Sequence, residues 1–412
     1  MKSPSYKPVD SLYLWYLHDP TRPAPVGTLN LVLTGTRGVS LRYDSTWRKS
    51  GFPLSEDLPL IDMEHLPKER DLAAGAVDDA RPDRWGERVI KLLERPPRLS
   101  LLEMLYFAGD DRFGALGVST SAEAYEPYLR GPLPQLSDVD KVHELVRKVL
   151  AGEPVPEEMR RLITPGATMG GACPKALIDI DGAQWVLKFS EDDGSSEPLI
   201  EHAAMTLAAR AEITVAQTRP VPLALGAAVS VKRFDRVLGA RVHALSANVA
   251  LRAAGVEMSY PELAQLLRRR GPTAGNRNRL QMRELFRRLV FNILIDNTDD
   301  HEKNHVLLVN DAQQYELAPA FDVLPTGQAL GYQSMVVGDR GAESTIENAL
   351  SVCSAYWLSP KEAAEEARKV AAVVTGWREH FKACGVPEKL IDQYADQIDR
   401  PELAQQRQLL AG

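Results

Sequence analysis

The chain has 412 residues, 44% of them hydrophobic and 25% charged, which is the balance of a globular protein with two or three domains. No run approaches the roughly 18 apolar residues of a transmembrane helix, and the N-terminal segment lacks the apolar core typical of a signal peptide. The net charge of −7 argues against a surface that binds nucleic acid over its whole extent. Three cysteines without CxxC spacing predict neither a disulfide framework nor a zinc site, and we expect a cytoplasmic protein.

The first part of the chain combines strand and helix patterns. Residues 28–34 and 39–43 are β-prone runs joined by a glycine-containing turn, which predicts a hairpin. Helical periodicity follows over 83–94 and 100–107. We therefore expect mixed strand and helix before the middle of the chain.

A boundary is predicted near residue 155. Residues 121–135 are rich in proline, tyrosine and small or charged side chains, and this composition predicts a loop. A helix over 138–151 then leads to Pro154 and Pro156. These two prolines mark the predicted start of the second part.

The second part opens with a glycine-rich stretch and two strands. Residues 166–175 run directly into the apolar segments 176–180 and 183–189. The Asp181-Gly182 pair between these segments is a strong signal for a β-hairpin.

Helices predominate toward the C-terminus. Ser196 as N-cap predicts a helix over 197–210, and a strand follows at 227–232. A capping box that begins at Ser359 predicts a long helix ending at Cys384-Gly385. Strands first and helices afterwards predict an α+β fold class.

The segment Asn297–Asn304 carries the clearest chemical signal. Asp299 and Asn304 are five residues apart, the separation found in the D-x-x-x-x-N catalytic loop of protein kinases. The following run HVLLV…YELAP predicts a hairpin that returns Asp322 to the same place. Two carboxylates and an amide would form a site for magnesium. The alternative is a solvated polar loop, which the apolar helix upstream and the LAPAFD segment downstream make less favoured.

Residues upstream of this loop could contact phosphates. Gly170 and Gly171 allow backbone N–H groups to approach a phosphate closely, although a glycine-rich loop alone is weak evidence. Lys188 lies in the apolar strand WVLKF, where a lysine is costly unless it is paired. Glu201 on the next helix is a candidate partner for it. The alternatives are an edge-strand lysine that faces water and an exposed glutamate in a first helical turn.

Together these motifs resemble the HipA family of toxin kinases. The resemblance rests on the order of GGACPKALIDIDG, WVLKF, the Glu201 helix, VKRFDR, NTDDHEKNH and LAPAFDVL, and on GTLNLVLTG, VSLRYDSTW and LSEDLPL near the N-terminus. It implies a protein-kinase-like two-lobed fold, with a β-rich N-terminal lobe and a mostly helical C-terminal lobe. It also implies transfer of the ATP γ-phosphate to serine or threonine of a protein, an aminoacyl-tRNA synthetase in known members, so that translation is inhibited. A HipB-type helix-turn-helix antitoxin that carries the kinase to operator DNA is the implied partner.

The resemblance also assigns roles to residues of this chain. It makes Asp299 the catalytic base, places Asn304 and Asp322 on Mg²⁺, and puts Lys188 on the phosphates of ATP. The family carries an autophosphorylated serine where this sequence has Thr168, so the resemblance implies autophosphorylation at Thr168, with threonine in place of serine as a departure from the family. The ATP-binding residues implied by the resemblance are Gly170, Gly171, Ala172, Cys173, Pro174, Lys175, Lys188, Lys232, Arg233, Phe234, His301, Glu302, Lys303, Asn304, Phe321 and Asp322.

The predicted organisation follows from the same resemblance. We expect a HipA N-terminal-like subdomain over 1–125, a linker and helix over 126–155, a kinase core over 156–387 and a C-terminal helix over 388–412. Two other functions stay open at this point, a catalytically silent co-repressor scaffold for an antitoxin and a small-molecule phosphotransferase. The joint presence of Lys188, Asp299, Asn304 and Asp322 favours an active enzyme over a scaffold.

Arginines are concentrated just before the candidate catalytic loop. Such a cluster could bind DNA or an acidic protein, but a solvated helical face is the favoured interpretation. Its members are Arg268, Arg269, Arg270, Arg277, Arg279, Arg283, Arg287 and Arg288.

Overall fold

A computed structural model describes residues 6–129, 131–166, 173–192 and 194–411. The chain divides into two compact units. The first comprises Met1–Leu187 with Asp235–Leu245, and the second comprises Lys188–Phe234 with Ser246–Gly412. None of the described helices combines the length and the apolar character that a membrane span requires.

The first unit is organised around an N-terminal sheet that, within the described residues, has six strands. The predicted hairpin is confirmed, since Leu29 faces Leu41 and Leu31 faces Val39 in an antiparallel pair. Apolar side chains of these strands, including Leu12, are fully buried and form the core of the sheet. The strands, in chain order, are Ser11–Tyr16, Ala24–Val32, Gly38–Tyr43, Glu64–His65, Leu72–Ala73 and Leu116–Ser119.

Short helices accompany this sheet. The helix predicted from residue 83 begins at Arg84, where Asp83 caps it by accepting a hydrogen bond from the Gly86 amide, and it continues as a π-helical turn. Ser100 and Glu103 form a capping box at the next predicted helix. The helices of this unit are Ser45–Ser50, Gly75–Ala80, Arg84–Val89, Ile90–Glu94, Leu101–Phe107, Leu136–Asp138, Val139–Ala151 and Glu157–Arg160.

The hairpin predicted from Asp181-Gly182 is confirmed. Its strands are Lys175–Ile180 and Ala183–Lys188, which are neighbours in one sheet. Asp181 and Gly182 both have positive φ angles, 55° and 77°, as a two-residue hairpin turn of the primed type requires. The turn delivers Lys188 at the end of the second strand. Short strands elsewhere are Arg236–Val237, Ala240–Arg241 and His243–Ser246.

Helices predominate in the second unit. Two antiparallel strand pairs are present, Thr218–Pro222 with Ala227–Lys232 and Val306–Val309 with Tyr315–Leu317. The helices are Pro198–Arg210, Ala247–Ala254, Tyr260–Arg270, Ala274–Asn276, Arg277–Leu294, Ile346–Ser351, Cys353–Tyr356, Pro360–Thr375, Trp377–Ala383, Glu388–Ile398 and Pro401–Ala411.

Two predictions about helix ends are wrong. The N-cap of Pro198–Arg210 is Glu197, one residue after the predicted Ser196, and its side chain makes no capping hydrogen bond. The long helix expected from Ser359 to Cys384 is two helices, which are separated at Gly376. Glycine has low helix propensity, and the interruption of the helix at Gly376 is consistent with this.

The domain boundaries at 125, 155 and 387 stay a prediction.

Candidate active site

The loop that carries Asp299 begins where a buried helix ends. Helix Arg277–Leu294 packs Leu285, Leu289 and Ile293 into the core, as its apolar periodicity predicts. Asp296 then adopts a left-handed backbone conformation with φ 60° and reverses the chain. The polar residues 297–305 follow between this helix and the strand Val306–Val309.

Hydrogen bonds hold the two ends of the D-x-x-x-x-N motif together. The side-chain Nδ2 of Asn304 donates to the carbonyl of Asp299 over 3.3 Å. The His301 amide donates to that same carbonyl, and the Asn304 amide donates to the His301 carbonyl, both at 2.9 Å. The loop is therefore a compact turn that leaves the Asp299 residue exposed while Asn304 is buried.

The hairpin after this loop brings Asp322 toward Asp299. Leu307 pairs with Leu317 in antiparallel register, and Asp322 follows five residues later with a left-handed φ of 58°. The pKa of Asp299 is raised above its ordinary value of 3.8, first because its carboxyl is partly shielded from solvent. The negative charges of Asp322 and Asp300 raise this pKa further, whereas His301 lowers it.

Lys188 bridges two carboxylates. Its Nζ donates to Oε1 of Glu201 over 2.7 Å and to Oδ1 of Asp322 over 2.6 Å. The side chains of Lys188 and Glu201 are 3% and 6% exposed. The interpretations of Lys188 as a water-facing edge lysine and of Glu201 as an exposed residue are therefore wrong. The strand, the helix Pro198–Arg210 and the segment after the hairpin all contribute to this ion-pair cluster.

Asn304 and Asp322 offer oxygen ligands that suit a divalent cation. The Oδ1 atom of Asn304 is buried, and no residue in the described part of the chain donates a hydrogen bond to it. Among the described residues there is no cluster of three or more His, Cys, Asp or Glu side chains placed to hold a metal. A site here would thus have few protein ligands, as is usual for Mg²⁺ that also binds substrate phosphates. The residues present fit that kind of site.

A buried network next to Asp299 was not anticipated from the sequence. Asp300 accepts hydrogen bonds from Asn292 Nδ2 and His305 Nε2, each at 2.8 Å, and from the hydroxyl of Tyr260. Burial raises the pKa of Asp300, but the charge and hydrogen bond of His305 and the hydrogen bond of Tyr260 outweigh this and lower it below 3.8. Asp300 thus fixes the loop from inside, whereas Asp299 is exposed.

The other predicted nucleotide-binding residues differ in exposure. The rings of Phe234 and Phe321 are adjacent, with centroids 5.5 Å apart. His301 and Glu302 are half-buried, and Lys303 is exposed. Lys232 is exposed and Arg233 is buried. A cavity of about 10 Å³ borders Asn304 and His305, which is room for one water at most and not for a nucleotide.

The glycine-rich stretch can be assessed only in part. Thr168, Gly170, Gly171 and Ala172 lie outside the described residues. Cys173 is half-buried, and Pro174 and Lys175 are buried. Lys175 begins a strand rather than ending a loop, and its Nζ donates to Asp83 Oδ2 over 2.5 Å. Lys175 could contact phosphates only if its ion pair with Asp83 were broken.

Arg268, Arg269 and Arg277 of the arginine cluster are exposed, as a solvated face requires, whereas that interpretation is wrong for Arg288, which is buried, and for Arg287, which is 15% exposed. Acidic side chains of the same unit pair with several members of the cluster, because long-range packing brings glutamates to this helix. Arg268 and Arg279 lie over the ring of Trp357, and Arg279 is also 3.9 Å from Glu362. The ion pairs are Arg277 with Glu316, Arg283 with Glu362, Arg287 with Glu366 and Arg288 with Glu284.

Site and fold together define a protein-kinase-like α+β protein. Residues 167–377 match the family model of the HipA-like C-terminal domain, and residues 21–119 match that of the HipA N-terminal domain. The first match alone covers more than half of the chain. The chain belongs to the HipA family.

Two relatives illustrate the extent of the similarity. A Sinorhizobium fredii protein described as "Putative kinase Y4dM" is 30% identical over 158 residues, which span 35% of this chain and 38% of that protein. The HipA protein of Shewanella oneidensis MR-1, solved in a toxin–antitoxin complex with HipB and operator DNA, matches with a TM-score of 0.62. That match covers 97% of both chains at 18% identity, so it shows the fold. The predicted fold class is thereby confirmed.

Proposed function

We propose that this chain is an ATP- and magnesium-dependent protein kinase that phosphorylates serine or threonine, and that it is the toxin of a HipA/HipB-like pair. The observation that carries the proposal is the position of Lys188 between Glu201 and Asp322, with Asp299 and Asn304 on the adjoining loop. A buried lysine that pairs with a glutamate of the following helix, beside a carboxylate that can hold Mg²⁺, matches the arrangement that active protein kinases use around ATP.

Each residue of the site has a chemical task in this proposal. Asp299 orients the substrate hydroxyl and accepts its proton, a task suited to the exposed carboxylate of the loop. Lys188 donates to the phosphates and keeps Glu201 as its partner. Asn304 and Asp322 hold Mg²⁺, which when bound offsets the charge of the β- and γ-phosphates. Phe234 and Phe321 supply apolar surface for the adenine ring.

The proposed substrate and the proposed partner are inferred from membership of the HipA family. By its resemblance to HipA proteins we propose an aminoacyl-tRNA synthetase as substrate, so that phosphorylation inhibits translation. The Shewanella relative forms a complex with HipB and operator DNA. We extend this to a helix-turn-helix antitoxin as the partner of this chain, through which it would reach operator DNA.

Transfer of labelled phosphate tests the activity. The purified chain is incubated with Mg²⁺ and ATP labelled at the γ-phosphate, once with lysate proteins and once with a panel of metabolites. The proposal expects label on serine or threonine of protein, and none with the Asp299→Asn variant. Label confined to a metabolite would make the chain a small-molecule phosphotransferase, and no transfer at all would favour a catalytically silent scaffold.

A further inference from the structure

The C-terminal helices contact the base of the loop that carries Asp299. Glu388–Ile398 and Pro401–Ala411 follow the residues that match the HipA-like C-terminal domain, which end at 377. Arg400, at the junction of these two helices, places its Nη1 2.6 Å from Oδ1 of Asp296. The Asp296 side chain is fully buried and that of Arg400 is 15% exposed.

Asp296 is a branch point between two segments of the site. Its carbonyl accepts hydrogen bonds from the amide of Thr326 at 3.1 Å and from the hydroxyl of Thr326 at 2.9 Å. Its Oδ2 accepts from the amide of Ala329 at 3.1 Å. The Thr326 hydroxyl is also 2.7 Å from that of Thr298, next to Asp299. One residue therefore connects the start of the Asp299 loop to the segment that follows Asp322.

A second arginine strengthens the same attachment. Arg407 donates from Nη1 to the carbonyls of Ile398 at 2.7 Å and Leu294 at 3.4 Å, and from Nη2 to Asp399 at 2.8 Å. Leu294 is the last residue of the helix that leads into the loop. Arginine side chains near the C-terminus of a helix can donate hydrogen bonds to the last carbonyls, which have no donor within the helix.

We propose that Arg400 is a positioning residue, which acts through Asp296 to hold the loop of Asp299 in the geometry needed for phosphoryl transfer. A buried carboxylate is costly without a compensating charge, and Arg400 lies within ion-pair distance of Asp296. Without this charge, the buried carboxylate of Asp296 turns toward water, and the loop moves with it. Small displacements of a catalytic group lower the rate strongly. The catalytic part of this inference rests on the proposed kinase activity.

Three variants and one control separate positioning from general stability. Arg400→Gln removes the charge, Arg400→Lys keeps it, and the double variant Asp296→Asn/Arg400→Gln removes both charges. Lys382→Gln is the control, because Lys382 forms an exposed pair with Glu388 in the same C-terminal region and neither residue belongs to the contacts of Arg400 or Arg407 described above. Hydrogen–deuterium exchange of residues 294–305 and 326–334 is measured on the full chain, together with kcat and KM for ATP.

We expect Arg400→Gln to lower kcat by tenfold or more, to change KM for ATP less than threefold, and to increase exchange in these two segments. Arg400→Lys and the double variant should recover part of both effects, and Lys382→Gln should resemble the wild type. Wild-type kcat and exchange in Arg400→Gln, or an equal increase of exchange over the whole second unit, would overturn the inference. If the wild type transfers no phosphate but the exchange pattern is as described, the kinase proposal fails and the attachment of the loop by Arg400 stands.

Discussion

The ammonium of Lys188 lies 2.6 Å from the carboxylate of Asp322 and 2.7 Å from that of Glu201. One buried cation thus serves two anions from different segments of the second unit. Because Asp322 is also the proposed metal ligand, Lys188 competes with a metal ion for the same carboxylate. Binding of magnesium and ATP would release Lys188 from Asp322 toward the phosphates.

Removal of this cation should destabilise the protein. Lys188→Met is expected to lower the free energy of unfolding by about 3 kcal/mol, because the buried carboxylate of Glu201 and the half-buried one of Asp322 lose a shared countercharge. Lys141→Met is the matched control, since Lys141 makes a surface pair with Asp138 and such pairs contribute about 0.5 kcal/mol. Urea unfolding followed by tryptophan fluorescence measures both. Equal losses in the two variants would show that the buried cluster does not stabilise the fold.

Asp299→Asn should abolish transfer and leave ATP binding nearly intact. The carboxylate of Asp299 is exposed at the loop and has no structural partner role comparable to that of Asp300. Loss of a positioned base costs about 10²- to 10⁴-fold in rate. The rate of phosphate transfer is measured by a discontinuous assay and the affinity for ATP by calorimetry. Both are compared between this variant and the wild type. Wild-type turnover in this variant would remove Asp299 from the role of base.

Asp322→Ala and Asn304→Ala should both weaken the dependence on magnesium, the first more than the second. A charged carboxylate contributes more to a hard cation than a neutral amide does. Titration with a non-hydrolysable ATP analogue, with and without Mg²⁺, measures the effect. The same magnesium dependence in the wild type and in Asp322→Ala would exclude Asp322 as a metal ligand.

Asp300 should contribute stability that depends on pH. Its pKa is lowered in the folded protein, so its contribution is complete above about pH 4 and is lost as the pH falls through the lower folded-state pKa. The difference in unfolding free energy between the wild type and Asp300→Asn should therefore be constant from pH 7 to 5 and shrink below pH 4. Urea unfolding over this range measures it. A difference that grows toward acid pH would contradict the assignment of a charged, hydrogen-bonded Asp300.

Thr168 is predicted to be an autophosphorylation site that switches the kinase off. A phosphoryl group adds about −1.5 to −2 charge, which is repulsive beside the triphosphate of ATP. Peptide mass spectrometry after incubation with ATP should detect the modification in the wild type and not in Asp299→Asn. The modified form should bind ATP more weakly. An unmodified Thr168 in a chain that phosphorylates its target would show that this regulation is absent.

Local sequence was sufficient for the spacing of Asp299 and Asn304, for the hairpin that leads to Asp322 and for the turn at Asp181-Gly182. These features depend on residues a few positions apart, and the resulting backbone geometry follows from them. Hydrogen-bond and ion-pair partners that are distant in the sequence could not be predicted in this way. Nothing near Asp300 in the sequence indicates Tyr260 as its donor, and nothing near Lys175 indicates Asp83.

The arginine cluster shows the same limit. Its charges suggested a solvated face, but the glutamates that neutralise Arg283 and Arg287 come from a helix about eighty residues later. Asp296 and Arg400 are likewise joined only by the tertiary fold. Charge patterns in sequence therefore identify ionisable groups, whereas their partners emerge from packing.

The phosphorylated proteins of cells that express the chain test the central claim most directly. Cells with the wild type and with Asp299→Asn, at equal expression, are compared by quantitative mass spectrometry of phosphopeptides shortly after induction. The account predicts new phosphoserine or phosphothreonine sites on one or a few proteins in the wild type only, with an aminoacyl-tRNA synthetase among them. Identical phosphopeptides in both strains would contradict the proposal that this site transfers phosphate to protein.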